Sequence, residues 1–186
     1  MITKTYGTLF NNAGEGNYRN PISINNVIEY ITRTNGDSDE DLITWGAVGA
    51  PEFLGVDAII DEFHLTQKCY KRNGTFGRYV DHEWFSVSPE TEKIICENNL
   101  DIDRIARDMA CEIYEHDHCQ VVYGVHQSLA KGKHLHVHFA INTVNFKDGN
   151  KRRESMAETR ERSLRFNKIV EKHLEMNTSN HNNSVF

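Results

Sequence analysis

The segment Lys133 to Asn142 (KHLHVHFAIN) places histidine at every second position, His134, His136 and His138, ahead of an apolar run. Successive side chains of a strand point to opposite faces, so these imidazoles share one face while Leu135, Val137 and Phe139 point into a core. Two imidazoles two residues apart on a strand stand close enough to share a cation, and imidazole suits zinc, manganese, nickel and iron. Such a site usually takes a further ligand from a neighbouring element. His126 is placed to supply it, at the end of the strand-like run Gln120 to Val125 (QVVYGV). Gln127 to Lys133, with Gly132 among polar residues, reads as a hairpin connection that folds His126 back beside His136 and His138. The competing reading is an exposed histidine-rich edge strand or a tag-like run. Expression tags are contiguous and terminal, whereas this run is internal and alternating, so the metal reading is preferred.

The elements that must position this hairpin follow from periodicity. Ile2 to Phe10 is strand-like, and Asn11 to Asn20 is a polar loop. Pro21-Ile22-Ser23 opens a helix with Ser23 as N-cap and Ile24, Val27, Ile28 and Ile31 on its apolar face; Thr34-Asn35-Gly36 stops it. Tyr30 lies to the side of that face near the helix end, where a tyrosine is most often a half-buried packing residue. Leu42 to Val48 predicts a strand and Gly55 to Tyr70 a helix. Thr75 to Val87, with Phe76, Tyr79, Trp84 and Phe85, predicts a half-exposed aromatic strand ended by Ser88-Pro89-Glu90. Asp101 caps a helix reaching about His116. Strands from about 119 to 126 and 134 to 145 follow, then a basic turn, Phe146 to Arg153, and a helix from Met156 to about Met176. The Asn- and Ser-rich residues 177–186 read as a disordered tail. The order β-α-β-α-β-α-β-β-α predicts a single α+β domain over residues 1–176: a central antiparallel sheet, helices packed mainly on one face, and the histidine hairpin at its centre.

With 186 residues and 38% hydrophobic content, the chain suffices for one sizeable core. No apolar run approaches bilayer length and MITKTYGTLF lacks a charged-then-apolar leader, so a cytoplasmic protein with no membrane partner is expected. Cys69, Cys96, Cys111 and Cys119 form no CxxC pair and read as buried reduced thiols. A net charge of −6 and a pI near 5.9 exclude a uniformly basic surface. Positive residues are nevertheless grouped. Lys131 and Lys133 flank the histidines, Lys147, Lys151, Arg152 and Arg153 fill the next turn, and Arg160, Arg162, Arg165 and Lys168 follow on the last helix. A local basic groove can hold a nucleic-acid strand on an acidic protein, because the relevant field is local at physiological salt.

The segment VHQSLAKGKHLHVHFAINTVNFKDGNKRR resembles the metal-binding motif of conjugative relaxases, the mobilisation nucleases of the HUH endonuclease superfamily. In that group a strand ends in histidine, a turn follows, and a second strand reads His-x-His before an apolar stretch and often Asn. His126, His136 and His138 match those positions, with Ala140 to Val144 as the run that follows. His134 is the extra histidine of the mobilisation-protein branch with an HxHxH pattern. The family's usual acidic residue two positions after the first histidine is Ser128 here, and the turn is longer, so either His126 or His134 completes the triad. Asn25 to Thr32 (NNVIEYIT) is similar to the family's first motif, a helix carrying a nucleophilic tyrosine before a Thr/Asn-rich turn. His82 to Glu90 (HEWFSVSPE) is similar to the segment reading His, aromatic or apolar residues, then Ser-x-Ser-Pro. The resemblance covers nearly the whole chain to about residue 176.

The resemblance implies a metal-dependent relaxase that cleaves single-stranded DNA, site- and strand-specifically, at an origin of transfer. Tyr30 would be the nucleophile, forming a covalent 5′-phosphotyrosyl intermediate during mobilisation of a plasmid or conjugative element, with accessory relaxosome proteins as candidate partners. A cation at the scissile phosphate neutralises developing charge, and a tyrosyl ester preserves the bond energy so that strands can be rejoined. Asp81, His82 and Glu83 are the candidates for accepting the phenolic proton or orienting a ligand. One divalent ion is expected, magnesium or manganese, with zinc or nickel as alternatives. Lys131, Lys133, Lys151, Arg152 and Arg153 are candidates for the DNA backbone. Tyr6, Tyr18, Tyr79, Tyr114 and Tyr123 rival Tyr30, and Tyr6 and Tyr18 are the serious rivals. Two other readings compete. A rolling-circle replication initiator of the same superfamily would place its tyrosine after the histidines, not before them. A metal-dependent small-molecule hydrolase or oxygenase would leave Tyr30 structural.

Overall fold

A computed structural model of the protein describes residues 5–11, 18–36, 42–70, 77–127 and 134–183, with side chains described to residue 177. Among these, β1 (Gly7–Asn11), β2 (Leu42–Val48), β3 (Val80–Val87), β4 (Val121–His126) and β5 (His136–Asn142) form one antiparallel sheet in the order β1-β3-β5-β4-β2. The fold is α+β, and the strand bearing the histidines is the central one.

Alternation along β3, β4 and β5 sorts the core into two layers. Phe85, Tyr123, Val125, Val137 and Phe139 face Ile105, Met109 and Ile113 of α4 (Ile102–Asp117) and Phe166 and Val170 of α5 (Met156–Asn183). On the other face, Val80, Val122 and Ala140 lie under Ile24, Ile28 and Ile31 of α1 (Ile22–Thr32) and Ile59, Ile60 and Phe63 of α2 (Val56–Cys69). Helices therefore cover both faces, whereas the sequence reading put them mainly on one. The cause lies in β4 and β5, which are buried at nearly every position. Strands buried on both sides need cover on both sides.

Local chemistry explains the remaining boundaries. Ser23 does not cap α1; it is buried within the first turn, and the Asn20 side chain accepts from the Ile22 N–H at 3.1 Å instead. Ser88 ends β3 as expected but also starts α3 (Pro89–Glu97), a helix the sequence reading missed: its Oγ accepts from the Thr91 N–H at 3.2 Å with proline next in line. Asp101 caps α4 as predicted, accepting from the Arg104 N–H at 3.0 Å. The last helix runs to Asn183, past its expected end at Met176 and into residues expected as tail. Of the four thiols only Cys119 is buried, while Cys69 and Cys96 are exposed, so the expectation of buried cysteines holds for one. No helix among the described residues is long and apolar enough to cross a membrane.

Two details carry the fold toward the histidines. A Cβ at Gly124 would stand 2.5 Å from the Ile31 carbonyl oxygen, so only glycine lets the end of α1 sit directly on β4. That close seat holds the helix end bearing Tyr30 over the sheet. Asn142, fully buried at the end of β5, donates to the Phe63 carbonyl at 3.1 Å and to Gln120 at 2.8 Å, which fixes α2 to the sheet.

Candidate functional site

The β4–β5 hairpin pairs His126 with His136 and Gly124 with His138. All three rings occupy the face that carries α1, and one nitrogen from each lies within 4.8 Å of the others. His134 lies outside this group. It precedes the strand, and its Nδ1 stands 3.5 Å from Glu92 Oε2.

Hydrogen-bond partners set the tautomers. His136 Nδ1 lies 2.7 Å from the His134 carbonyl, which can only accept, so Nδ1 carries the proton and Nε2 the lone pair. His126 Nε2 donates to the Ile31 carbonyl at 2.8 Å, leaving a lone pair on Nδ1; Arg33 Nη2 donates to it at 3.1 Å and must swing aside for an ion to take that lone pair. His138 Nε2 is buried, and among the described residues nothing hydrogen-bonds it. Such an atom costs about 1–3 kcal/mol if left alone. Burial, then His82, His126, His136 and Arg33, push the His138 pKa well below the usual imidazole range. Its ring is therefore neutral at physiological pH, the form that binds a metal. Three imidazoles with a buried, open nitrogen among them fit a divalent ion.

Tyr30, half-buried on the last turn of α1, leans over this cluster. Its ring centroid is 5.5 Å from His138, 5.9 Å from His82 and 6.0 Å from His126, in edge-on arrangements. Arg33, which ends α1 in the left-handed region at φ 58°, returns its guanidinium to 4.7 Å from the Tyr30 ring centre. The sequence reading missed Arg33. Its only signal was a cation three residues after the tyrosine, and its direction depends on the left-handed turn.

Of the three residues considered as proton acceptors or orienting groups, the structure brings only His82 to the histidines. His82 Nε2 is 3.0 Å from His138 Nδ1, and Tyr18 Oη is 3.3 Å from His82 Nδ1. Burial lowers the His82 pKa to about 4, with His126 adding to the effect against the pull of Glu83. Asp81 and Glu83 alternate with His82 and so point to the opposite face, where buried arginines hold them. Arg152 donates to Asp81 Oδ2 at 2.7 Å, Glu83 Oε1 at 2.9 Å and Asp117 Oδ2 at 2.8 Å; Arg162 donates to Glu83 Oε2 at 2.8 Å and Asp117 Oδ2 at 3.0 Å.

This also corrects the expectation that Lys151, Arg152 and Arg153 form a DNA-facing turn. Arg152 is enclosed in that ion network, and Lys151 Nζ donates to the Arg78 carbonyl at 2.9 Å and Thr143 Oγ1 at 3.1 Å. Only Arg153 of the three is exposed. Lys131 and Lys133 lie outside the described residues. Removing Arg152 should take one of two arginine partners from each of Asp81, Glu83 and Asp117 and leave four carboxylates facing two cations, so Arg152→Ala is expected to lower unfolding free energy by about 3–5 kcal/mol. Urea denaturation measures this; a loss below 1 kcal/mol would mean that the network is solvated.

The same network predicts a pH effect. Arg78, Arg152 and Arg162 face Asp81, Glu83, Asp117 and Glu154, three cations against four carboxylates. Burial and the neighbouring Glu83 raise the Glu154 pKa to about 7, against the pull of Arg152 and Arg162. The folded state therefore binds this proton more tightly than the unfolded chain does. Its contribution is fully present below the ordinary glutamate range and is lost as pH rises through about 7. Glu154→Gln, which keeps the neutral shape, should remove that decline, and thermal unfolding of both proteins between pH 5 and 8 measures it. Parallel curves would rule the proton out.

The rival tyrosines divide cleanly. Tyr6 donates to Glu171 at 3.1 Å in the opposite core, Tyr123 donates to Asp103 at 2.9 Å, Tyr114 packs on Phe146 at 5.0 Å, and Tyr79 is buried under α2. Tyr18 and Tyr30 alone among the tyrosines named above border the histidines. Residues 30–175 match the family model described as relaxase, MobA/VirD2-like, nuclease domain. No curated protein matches the chain.

Proposed function

The chain belongs to the MobA/VirD2-like relaxase family of nucleases, and from that premise we propose that it nicks single-stranded DNA at an origin of transfer through a covalent 5′-phosphotyrosyl bond to Tyr30. The observation that carries this reading is the placement of the Tyr30 ring over His126, His138 and His82 within about 6 Å of each. The family is metal-dependent and acts on single-stranded DNA. His126, His136 and His138 would hold the ion, magnesium or manganese in the cell, and it supplies positive charge at the scissile phosphate when bound.

The chain's own residues account for the rest. The Tyr30 Oη attacks phosphorus, the bond from phosphorus to the 3′-oxygen breaks, and the phenolic proton ends on that oxygen as a free 3′-hydroxyl. The Arg33 guanidinium, beside both Tyr30 and His126, stabilises the added negative charge of the transition state. His82 has a different part. For His138 Nε2 to offer a lone pair, its Nδ1 must carry the proton and donate to His82 Nε2. His82 must then donate from Nδ1 to Tyr18 Oη. Both nitrogens of His82 are thereby committed, so it orients His138 and takes no proton from Tyr30. Lys131 and Lys133, in the connection between the two histidine strands, are the basic residues assigned to the DNA backbone.

The order of motifs, tyrosine before histidines, favours a relaxase over a rolling-circle initiator. The test is incubation with a pool of single-stranded origin sequences and manganese, then a denaturing gel. A covalent protein–DNA band supports the reading. Cleavage without such a band would make water the nucleophile, and a protein that cuts no DNA but hydrolyses a small phosphoester would overturn it.

A further inference from the structure

Among the described residues, helices cover only half of the face that carries the histidines. Under α1 and α2 lie Val80, Val122 and Ala140, all buried. Beyond them the same face runs out through Ser86, Trp84 and His136, each half-buried, to Thr8 and Phe10, which are exposed. Strand register places Phe10 opposite Trp84 and Trp84 opposite His138, so the three form one row across β1, β3 and β5. The Phe10 and Trp84 rings are stacked, 5.4 Å between centroids and 15° from parallel. The indole centroid is 6.4 Å from His138 and 6.0 Å from His82. Phe10 remains 43% exposed.

We propose that Trp84, backed by Phe10, is a stacking site for a nucleobase next to the phosphate held at the histidine cluster. This deepens the relaxase reading and rests on it. The separation between His138 and the indole corresponds to about one nucleotide of extended single strand, so a phosphate at the histidines delivers a neighbouring base to the indole. The row has no cationic side chain, and its aromatic faces suit any base, so it supplies affinity without reading sequence. A paired base inside a duplex hides its faces in the stack and cannot use this site. The row therefore selects for single-stranded substrate. The bland alternative is a cross-strand aromatic pair that only strengthens the edge of the sheet.

The chain has two tryptophans, and Trp45→Phe leaves Trp84 as the sole indole. In that background a thymidine oligonucleotide should quench the fluorescence, whereas an abasic backbone of equal length should not. Trp84→Ala should weaken thymidine-oligonucleotide binding by about 5- to 150-fold and leave abasic-backbone binding unchanged, with Trp84→Phe restoring most of the loss. Thymidine binding without quenching overturns the proposal, as does an equal loss for both polymers. If Trp84→Ala fails to fold, comparison of the two polymers on the Trp45→Phe protein still decides. Stacking fails alone if DNA is bound without these differences while origin sequences are still captured covalently; if neither polymer binds and no origin sequence is captured, the relaxase reading fails with it.

Discussion

Replacing Tyr30 by phenylalanine is expected to abolish covalent capture of single-stranded DNA while the fold and metal binding persist. The change removes one hydroxyl from a half-buried ring whose carbon atoms stay against His138, His82 and the Arg33 guanidinium. Loss of a nucleophile typically leaves only the residual catalysis of the binding and charge-stabilising groups, so the fall should be about 10⁴-fold or more. Tyr18→Phe makes the informative contrast. Tyr18 accepts from His82 in the metal-ready tautomer, so its loss should loosen His138 and lower the rate by about 10- to 100-fold without removing the adduct. The measurement is adduct yield on a denaturing gel with labelled oligonucleotide, followed by mass mapping of the modified peptide. An adduct retained in Tyr30→Phe and mapped to Tyr18 would move the nucleophile and keep the reaction class.

Much of this arrangement was readable from residue types because it depends on short-range rules. The spacing of His136 and His138 fixes their shared face, and the hairpin brings His126 into register with His136. Ile24, Val27, Ile28 and Ile31 place Tyr30 at the side of the helix stripe. What the sequence hid depends on long-range pairing. Asp81 and Glu83 looked like partners for the histidines by proximity in sequence. Alternation along β3 sends them through the sheet to Arg152 and Arg162, whose positions more than 60 residues away no local pattern foretells. The same pairing withdraws Arg152 from the basic turn, where charge alone had suggested a DNA contact. Arg33 and Phe10 escaped notice for the converse reason. Each is unremarkable in its own segment and gains its role from a ring on another strand or helix.

The assignment of three metal ligands is tested most cleanly at His136. His126 and His138 are buried, and truncating either would leave a void as well as remove a ligand, whereas His136 is only half-buried. His136→Ala is therefore expected to fold like the parent in the absence of metal. With manganese the parent should gain stability by mass action, about 2.7 kcal/mol at a hundredfold excess over Kd, and the variant should gain almost none. Removing a group that merely orients a ligand costs about 10- to 100-fold in affinity, so loss of a ligand itself should exceed that range and eliminate nicking. His134→Ala is the control that settles the choice left open by the HxHxH spacing. Its ring faces Glu92, and its carbonyl, which positions His136, survives the substitution. Manganese titration by calorimetry on the parent and both variants reads the outcome. Equal losses at His134 and His136 would put His134 in the triad, and undiminished binding in His136→Ala would remove the hairpin from the metal site.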